Sequence, residues 1–335
     1  MYMIFASLAP IFLIILAGFV IERISFLPQN TGDILSFFSI NICIPCLLFH
    51  IMCTTSVEQF SQVNWWIGMV GPQVMGLGLF FCLERSLRRT EAGPAMISSL
   101  TCCFCNAGFV GISVIINLFP GNAEAMSAAG LSVVACNIIV IIGQMTLLGW
   151  YRRKQMPDGR HIHFDIPRRL RIWRFVRHFI LGNPIFMATA LGLSVAISGI
   201  PLWEPLDKAC SMLGFVSPTC MLFALGFSLR RNLTEAFQGH SIHMGHQLWM
   251  MAWRLVGMPL VVLAALLLLD CNPLWISVSV IMMATGTAIM VASLAQVYGA
   301  VPGQAALTVA VTNILSLFSL MAAIALLTWL NLMPA

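Results

Sequence analysis

The sequence predicts an all-α polytopic membrane protein of ten transmembrane helices, built as a 5+5 inverted repeat with helices 4 and 9 broken and crossed. Three observations predict it. The chain of 335 residues is 59% hydrophobic and only 9% charged, where a soluble domain carries roughly 25% charged residues. Two apolar segments of spanning length are interrupted by small and polar residues. The fifth and tenth segments read as copies of each other.

A span needs about 20 apolar residues, and ten segments supply them: 2–21, 32–53, 64–83, 93–118, 124–150, 180–199, 206–229, 245–269, 272–297 and 303–331. The first is too long for a signal-peptide core and has no basic leader, so it is read as a retained helix. Pro and Gly mark the connections at Pro28, Pro120-Gly121, Pro201 and Pro302-Gly303. In the fourth segment Asn106, Gly108, Gly111 and Ser113 are poor material for an unbroken helix in lipid. In the ninth the weak stretch is Thr285-Gly286-Thr287. Open backbone at membrane depth survives only where protein or water covers it, so both stretches are expected at a shared substrate site.

Orientation follows from the basic residues. Fifteen of the seventeen Lys and Arg follow odd-numbered segments; Lys208 and Arg254 are the exceptions. The odd segments are therefore expected to end in the cytoplasm, leaving both termini outside the inner membrane. Residues 151–179 form the one long hydrophilic stretch, read as a basic cytoplasmic linker. It divides a first repeat, 1–150, from a second, 180–335. The net charge of +5 sits in short loops and does not imply nucleic-acid binding.

The halves match at fixed offsets. Pro28 and Pro201, and again Pro45 and Pro218, are 173 residues apart. Residues 129–139 and 305–315 agree at five of eleven positions and align Asn137 with Asn313. Five is an odd number of spans, so the second copy enters from the opposite side. Such symmetry provides an inward and an outward state from one chain.

Asn41-Ile-Cys-Ile-Pro-Cys-Leu-Leu-Phe, Asn106-Ala-Gly-Phe-Val-Gly-Ile-Ser, Leu181-Gly-Asn-Pro-Ile-Phe, Ser217-Pro-Thr-Cys-Met-Leu-Phe, Arg254-Leu-Val-Gly-Met-Pro and Ala292-Ser-Leu-Ala-Gln-Val-Tyr-Gly occur in an order and spacing that resembles the auxin efflux carrier family. That family includes PIN-type carriers and malonate permeases. The resemblance implies a scaffold domain, a mobile transport domain and organic anions as substrates. Many members place proline at each crossover; here Ser113 and Gly286 stand near those positions, and they open a helix less forcibly.

The chemistry expected of such a site is anion capture by helix starts, whose unpaired N–H groups and positive dipole end face the ligand. Asn106, Ser113, Thr285, Thr287, Asn137 and Asn313 could add hydrogen bonds, with Gly108, Gly111 and Gly286 opening the backbone; for the asparagines helix–helix glue is the competing role. Arg254 lies away from both breaks in sequence, where it could attract anions, act in gating or snorkel to the surface. His50 reads as interfacial or as a proton relay, and His240, His243 and His246 as a solvated loop. The eleven cysteines lie mostly in apolar segments and suggest neither disulfides nor a metal site. No hydrolase triad, phosphate loop or cofactor motif stands out, so no enzyme is expected and no cofactor. The expected partners are a small organic anion and the lipid bilayer, with a homodimer left open and no nucleic acid. The expectation is a secondary active carrier of small organic anions; a sodium-coupled symporter of the bile-acid type and a transporter-like sensor are the alternatives. The crossover stretches lack the Asp or Glu that sodium chemistry favours.

Overall fold

Helices are interrupted where a backbone hydrogen bond cannot be made, and those interruptions shape this protein. The computed structural model describes residues 2–24, 27–154, 182–199, 201–237 and 244–333. Among the described residues all regular structure is helical. Six helical stretches there are long and apolar enough to cross a membrane: 31–54, 57–86, 123–151, 204–231, 244–268 and 302–329. Shorter apolar helices fill the remainder.

Helix α1 is Tyr2–Ile24. Helix α2, Thr31–Phe38, passes through a wide π turn, Ser39–Cys43, into α3, Ile44–Thr54. Pro45 has no N–H and its ring crowds the carbonyl four residues back, so the preceding turn widens. A short α4, Val57–Phe60, leads to α5, Val63–Ser86. Helix α6, Ala92–Cys103, stops; a second π turn, Ala107–Gly111, then starts α7, Ile112–Leu118. Helix α8 runs Ala123–Lys154, so residues 151–154 are helical and the rest of the expected linker lies outside the described residues.

The second half opens with α9, Pro184–Ser198, capped by the Asn183 side chain, which accepts from Ile185 N at 3.0 Å. Helix α10 is Glu204–Phe237. Helix α11, Met244–Ala252, passes through a third π turn, Trp253–Gly257, into α12, Met258–Leu268. Pro259 leaves the Leu255 carbonyl without its helical partner, and Ser319 Oγ supplies the missing bond at 2.6 Å. Helices α13, Pro273–Met283, and α14, Ile289–Tyr298, flank the second interruption, and α15, Pro302–Trp329, closes the fold.

The helices sort into two packed groups, each drawing on both halves of the chain. Helices α1, α2–α3, α9 and α10 form one group and α5, α6–α7, α8, α11–α12, α13–α14 and α15 the other, and the two pack on each other chiefly where α10 meets α15 and α3 meets α8. In the first group Gly226 of α10 lies against the backbone of Ile15 on α1 with no space for a Cβ. Close approach through small residues is how helices associate in lipid, where the hydrophobic drive between them is weak.

Contacts also distinguish the two ends of the bundle. At one end Arg231 forks onto Asp33 (2.7 and 2.5 Å), His246 meets Glu84 (2.5 Å), and the rings of Tyr151 and Tyr298 touch. At the other His50 meets Asp207 (2.6 Å), Thr55 Oγ1 donates to Ser127 Oγ (3.0 Å), and Trp275 Nε1 donates to Glu124 (2.8 Å). Arg85, Arg88, Arg89, Lys154 and Arg230 all belong to the first end. His246 is thus a helix-start residue paired with a buried carboxylate rather than part of a solvated loop. His240 and His243 lie outside the described residues.

Candidate functional site

The two interruptions meet. Phe104–Asn106 and Gly286–Ala288 run antiparallel, with Asn106 N donating to Gly286 O (2.9 Å) and Ala288 N to Phe104 O (3.2 Å). Backbone opened at membrane depth thus satisfies part of its own demand, each break serving the other.

Side chains pin the pair from behind. Thr287 N donates to Thr312 Oγ1 (3.0 Å) and Thr287 Oγ1 to Thr101 O (2.9 Å). Asn313 Nδ2 donates to Thr287 O and Val309 O, both at 2.8 Å, and Asn313 Oδ1 accepts from Asn106 Nδ2 at 2.9 Å. A Cβ on Gly286 would lie 2.6 Å from Asn313 N; the backbone of α15 comes that near.

In front lies a cavity between the two helix groups, with about 50 Å³ open to the centres of water molecules; roughly 10–15 Å³ holds one water. A few waters or one small ligand fit. Ile40, Ile44 and Ile185 form one wall, from the first group; residues 104–109, Val133, Cys136, Asn137, Ala288 and Met290 form the other. The cavity shares Ile40, Asn137, Ile185 and Met290 with a neighbouring cleft of about 210 Å³, which extends to Asn41, Gln144 and Gly182–Pro184. That cleft faces the end of the molecule where α8 ends and α9 begins.

Helices start toward this cavity from both sides. The amides of Ala107, Gly108 and Phe109 precede any carbonyl of their own helical stretch, and so do those of Ile289 and Met290. Ala107, Gly108, Phe109 and Met290 line the space. Two positive dipole ends therefore converge on it.

The sequence-expected residues divide by position. Asn106, Gly108 and Asn137 line the cavity. Asn137 also donates its Nδ2 to Val133 O at 2.8 Å within its own helix. Gly111 sits behind the cavity, where a Cβ would lie 2.6 Å from Met282 Sδ. Ser113 is bonded to Phe109 O (2.6 Å) and Thr285 Oγ1 to Met282 O (2.8 Å). Thr287, Gly286 and Asn313 hold the break as described, and none of these last six lines the cavity.

Arg254 is the largest departure. It is fully buried, so the snorkelling alternative does not hold, and its Nη2 donates to Met283 O (2.7 Å) and Thr285 O (3.2 Å). Sequence distance hid this: the third π turn carries Arg254 onto the carbonyls at and just past the end of α13. Its Nε and Nη1 have no partner, and no carboxylate reaches it among the described residues. Sequence reasoning also missed Ile40, Phe104, Cys136, Ile185 and Met290 as lining. Pro45 and Pro259, each two residues past a π turn, were the available signal for two of the three wide turns among the described residues.

The family model described as "Membrane transport protein" matches residues 3–324. A protein of Rhizobium meliloti (strain 1021) named "Putative malonate transporter" is 23% identical over 310 residues, covering 92% of this chain and 90% of that protein. With the match spanning nearly the whole chain, and with apolar helices long enough to cross a bilayer, this is a multi-pass membrane transporter rather than an enzyme, and it belongs to the auxin efflux carrier family of membrane transport proteins.

Proposed function

We propose that the protein is a secondary carrier of small organic anions, dicarboxylates of malonate size among them, working by alternating access. One observation carries this reading: two helix interruptions pair with each other at the floor of a small cavity toward which two helices start. Helix starts hold a carboxylate without a dedicated arginine, and the cavity size suits a ligand of a few heavy atoms. The relative's name points the same way.

In this reading the chain makes ten spans as two inverted five-span repeats, 1–150 and 180–335, joined through 151–179, and the interruptions are the crossed broken helices 4 and 9. The helices of α1, α2–α3, α9 and α10 are the scaffold and the others the moving domain, since the cavity lies between them. The basic end faces the cytoplasm and both termini face out of the inner membrane. The described conformation is then inward-open, with Thr55, Ser127 and the contact of Gly130 with Met52 closing the outer end.

Uptake of radiolabelled malonate into vesicles reconstituted with the purified chain tests the activity. Saturable, competable uptake is expected, and its absence for every mono- and dicarboxylate tried would refute the reading. Reporter fusions at Asp158 and Ala335 test the topology, with a cytoplasmic signal at Ala335 counting against ten spans.

A further inference from the structure

Donors and acceptors around Asn106 do not balance. Asn313 settles the orientation of both side chains. Its Nδ2 donates to the carbonyls of Thr287 and Val309, and carbonyls only accept, so this amide cannot be turned over. Its Oδ1 must then face Asn106, whose Nδ2 donates to it at 2.9 Å. Asn106 is fixed in turn, nitrogen toward Asn313 and oxygen away. Asn106 Oδ1 is left buried with no donor among the described residues, on a residue 1% exposed that lines the cavity. A buried acceptor in that condition is destabilising until a ligand or water donates to it.

A carboxylate cannot do so, because an ionised carboxylate only accepts. The helix-start amides can hold one carboxylate. Asn106 asks for a group that donates. A singly protonated dicarboxylate carries both: one carboxylate, and one carboxyl whose O–H is a donor.

Charge agrees with this count. Among the described residues, the ionisable side chains around the site are Cys105 beside Asn106, Cys136 on α8, Cys102 and Cys103 on α6, and Arg254 behind the second interruption. Helices α9, α13 and α15 carry no Asp, Glu, His, Lys or Arg, and α14 has none either, only Tyr298 at its far end. On α3, His50 is paired with Asp207 at the other end of the bundle. One cation stands near the site among these residues, and no carboxylate. A second negative charge entering a largely apolar cavity would meet no second cation, and an unpaired buried charge is costly.

Resting on the carrier reading above, we propose that the cavity takes its dicarboxylate singly protonated, with the carboxyl O–H donating to Asn106 Oδ1 and the carboxylate on the helix-start amides. The proton enters from solvent on the substrate and leaves with it on the other side. No side chain of the protein has to carry it.

Calorimetry on the purified full chain tests this with malonate and malonamate. Malonamate is a monoanion above its single carboxyl ionisation and has an amide N–H where hydrogen malonate has its O–H. Between about one pH unit below the second ionisation of malonic acid and about two units above it, the apparent affinity for malonate should fall on the order of 100-fold, following the singly protonated share. Malonamate affinity should stay within a few-fold over that range and exceed malonate at the upper end. In Asn106→Ala the pH dependence of malonate binding should flatten. Malonate affinity that is level or rises with pH, or malonamate no better than malonate at the upper pH, would overturn the protonated form and leave the anion site standing. No binding of either compound at any pH would overturn both. The wild-type comparison decides the matter even if Asn106→Ala does not fold.

Discussion

Arg254 Nη2 lies 2.7 Å from the carbonyl of Met283, which places the one fully buried cation among the described residues at the C-terminal end of α13. The negative end of that helix dipole faces the guanidinium, so the charge is held by backbone alone. With no carboxylate paired to it among the described residues, its removal strands no buried countercharge. Arg254→Met should therefore still fold while binding malonate less tightly. At an effective dielectric of about 20, a unit charge acting over roughly 10 Å would contribute roughly 1.7 kcal/mol, so the expected loss is on the order of 10-fold in Kd. Calorimetry on the folded variant checks it, and Arg254→Lys should fall between the two.

Gly286 should be intolerant of any side chain. A Cβ there would meet Asn313 N at 2.6 Å and Asn313 Cα at 2.7 Å, both backbone atoms that cannot swing aside. Gly286→Ala should shift α15 or part the bridge between Cys105 and Thr287. Overpacking of this kind typically costs about 1–3 kcal/mol, readable as a lowered thermal midpoint in detergent together with lost binding. A variant of wild-type stability would show that α15 yields.

The Glu84–His246 pair should be structural rather than part of the transport path. It joins α5 to α11 inside one helix group, away from the cavity lining. His246→Ala would leave the buried Glu84 carboxylate short of a donor, at about 1–3 kcal/mol. Stability should fall while the malonate KM of the remaining folded protein stays within a few-fold. A KM rise beyond about 10-fold would assign the pair to the path.

The end closed by Thr55 and Ser127 should open when wedged. A Cβ added at Gly130 would lie 2.9 Å from Met52 Cε, with Ile51 and Leu48 next to it. Gly130→Leu should push α8 from α3 and expose Ser127, which is 2% exposed in this structure. Labelling of Ser127→Cys by a membrane-impermeant maleimide should accelerate at least about 10-fold with the wedge present, a shift of roughly 1.4 kcal/mol in the closed–open balance. An unchanged rate would place the gate elsewhere.

Much of the fold is legible because hydrophobic runs and weak spots are local signals. Among the described residues the apolar segments are helical, six stretches being long enough to cross a membrane, and both interruptions fall where Asn106–Gly111 and Thr285–Thr287 stand. The site is less legible because its chemistry depends on pairing across the chain. Asn106 and Asn313 are 207 residues apart, and Glu84 and His246 are 162 apart. Nothing local says that Ser113 spends its hydroxyl on Phe109 O, or that Thr285 spends its own on Met282 O. Arg254 eludes the sequence for the same reason: a basic residue in an apolar run reads as a surface-seeker until the π turn around it is known.

Because each helix group takes members from both halves of the chain, assembly must wait on synthesis. A ribosome delivers α1 to α3 well before α9 and α10, the helices they pack against. Helices α5 to α8 likewise precede α11 to α15. The first five segments must therefore sit in the membrane with unfilled faces, among them the groove at Ile15 that Gly226 later occupies. Contacts this distant in sequence form slowly, and exposed partner surfaces are where multi-part proteins misassemble. The interleaving that puts one cavity between two helix groups thus also makes a late-made helix, α15, the one that locks the interruption in place.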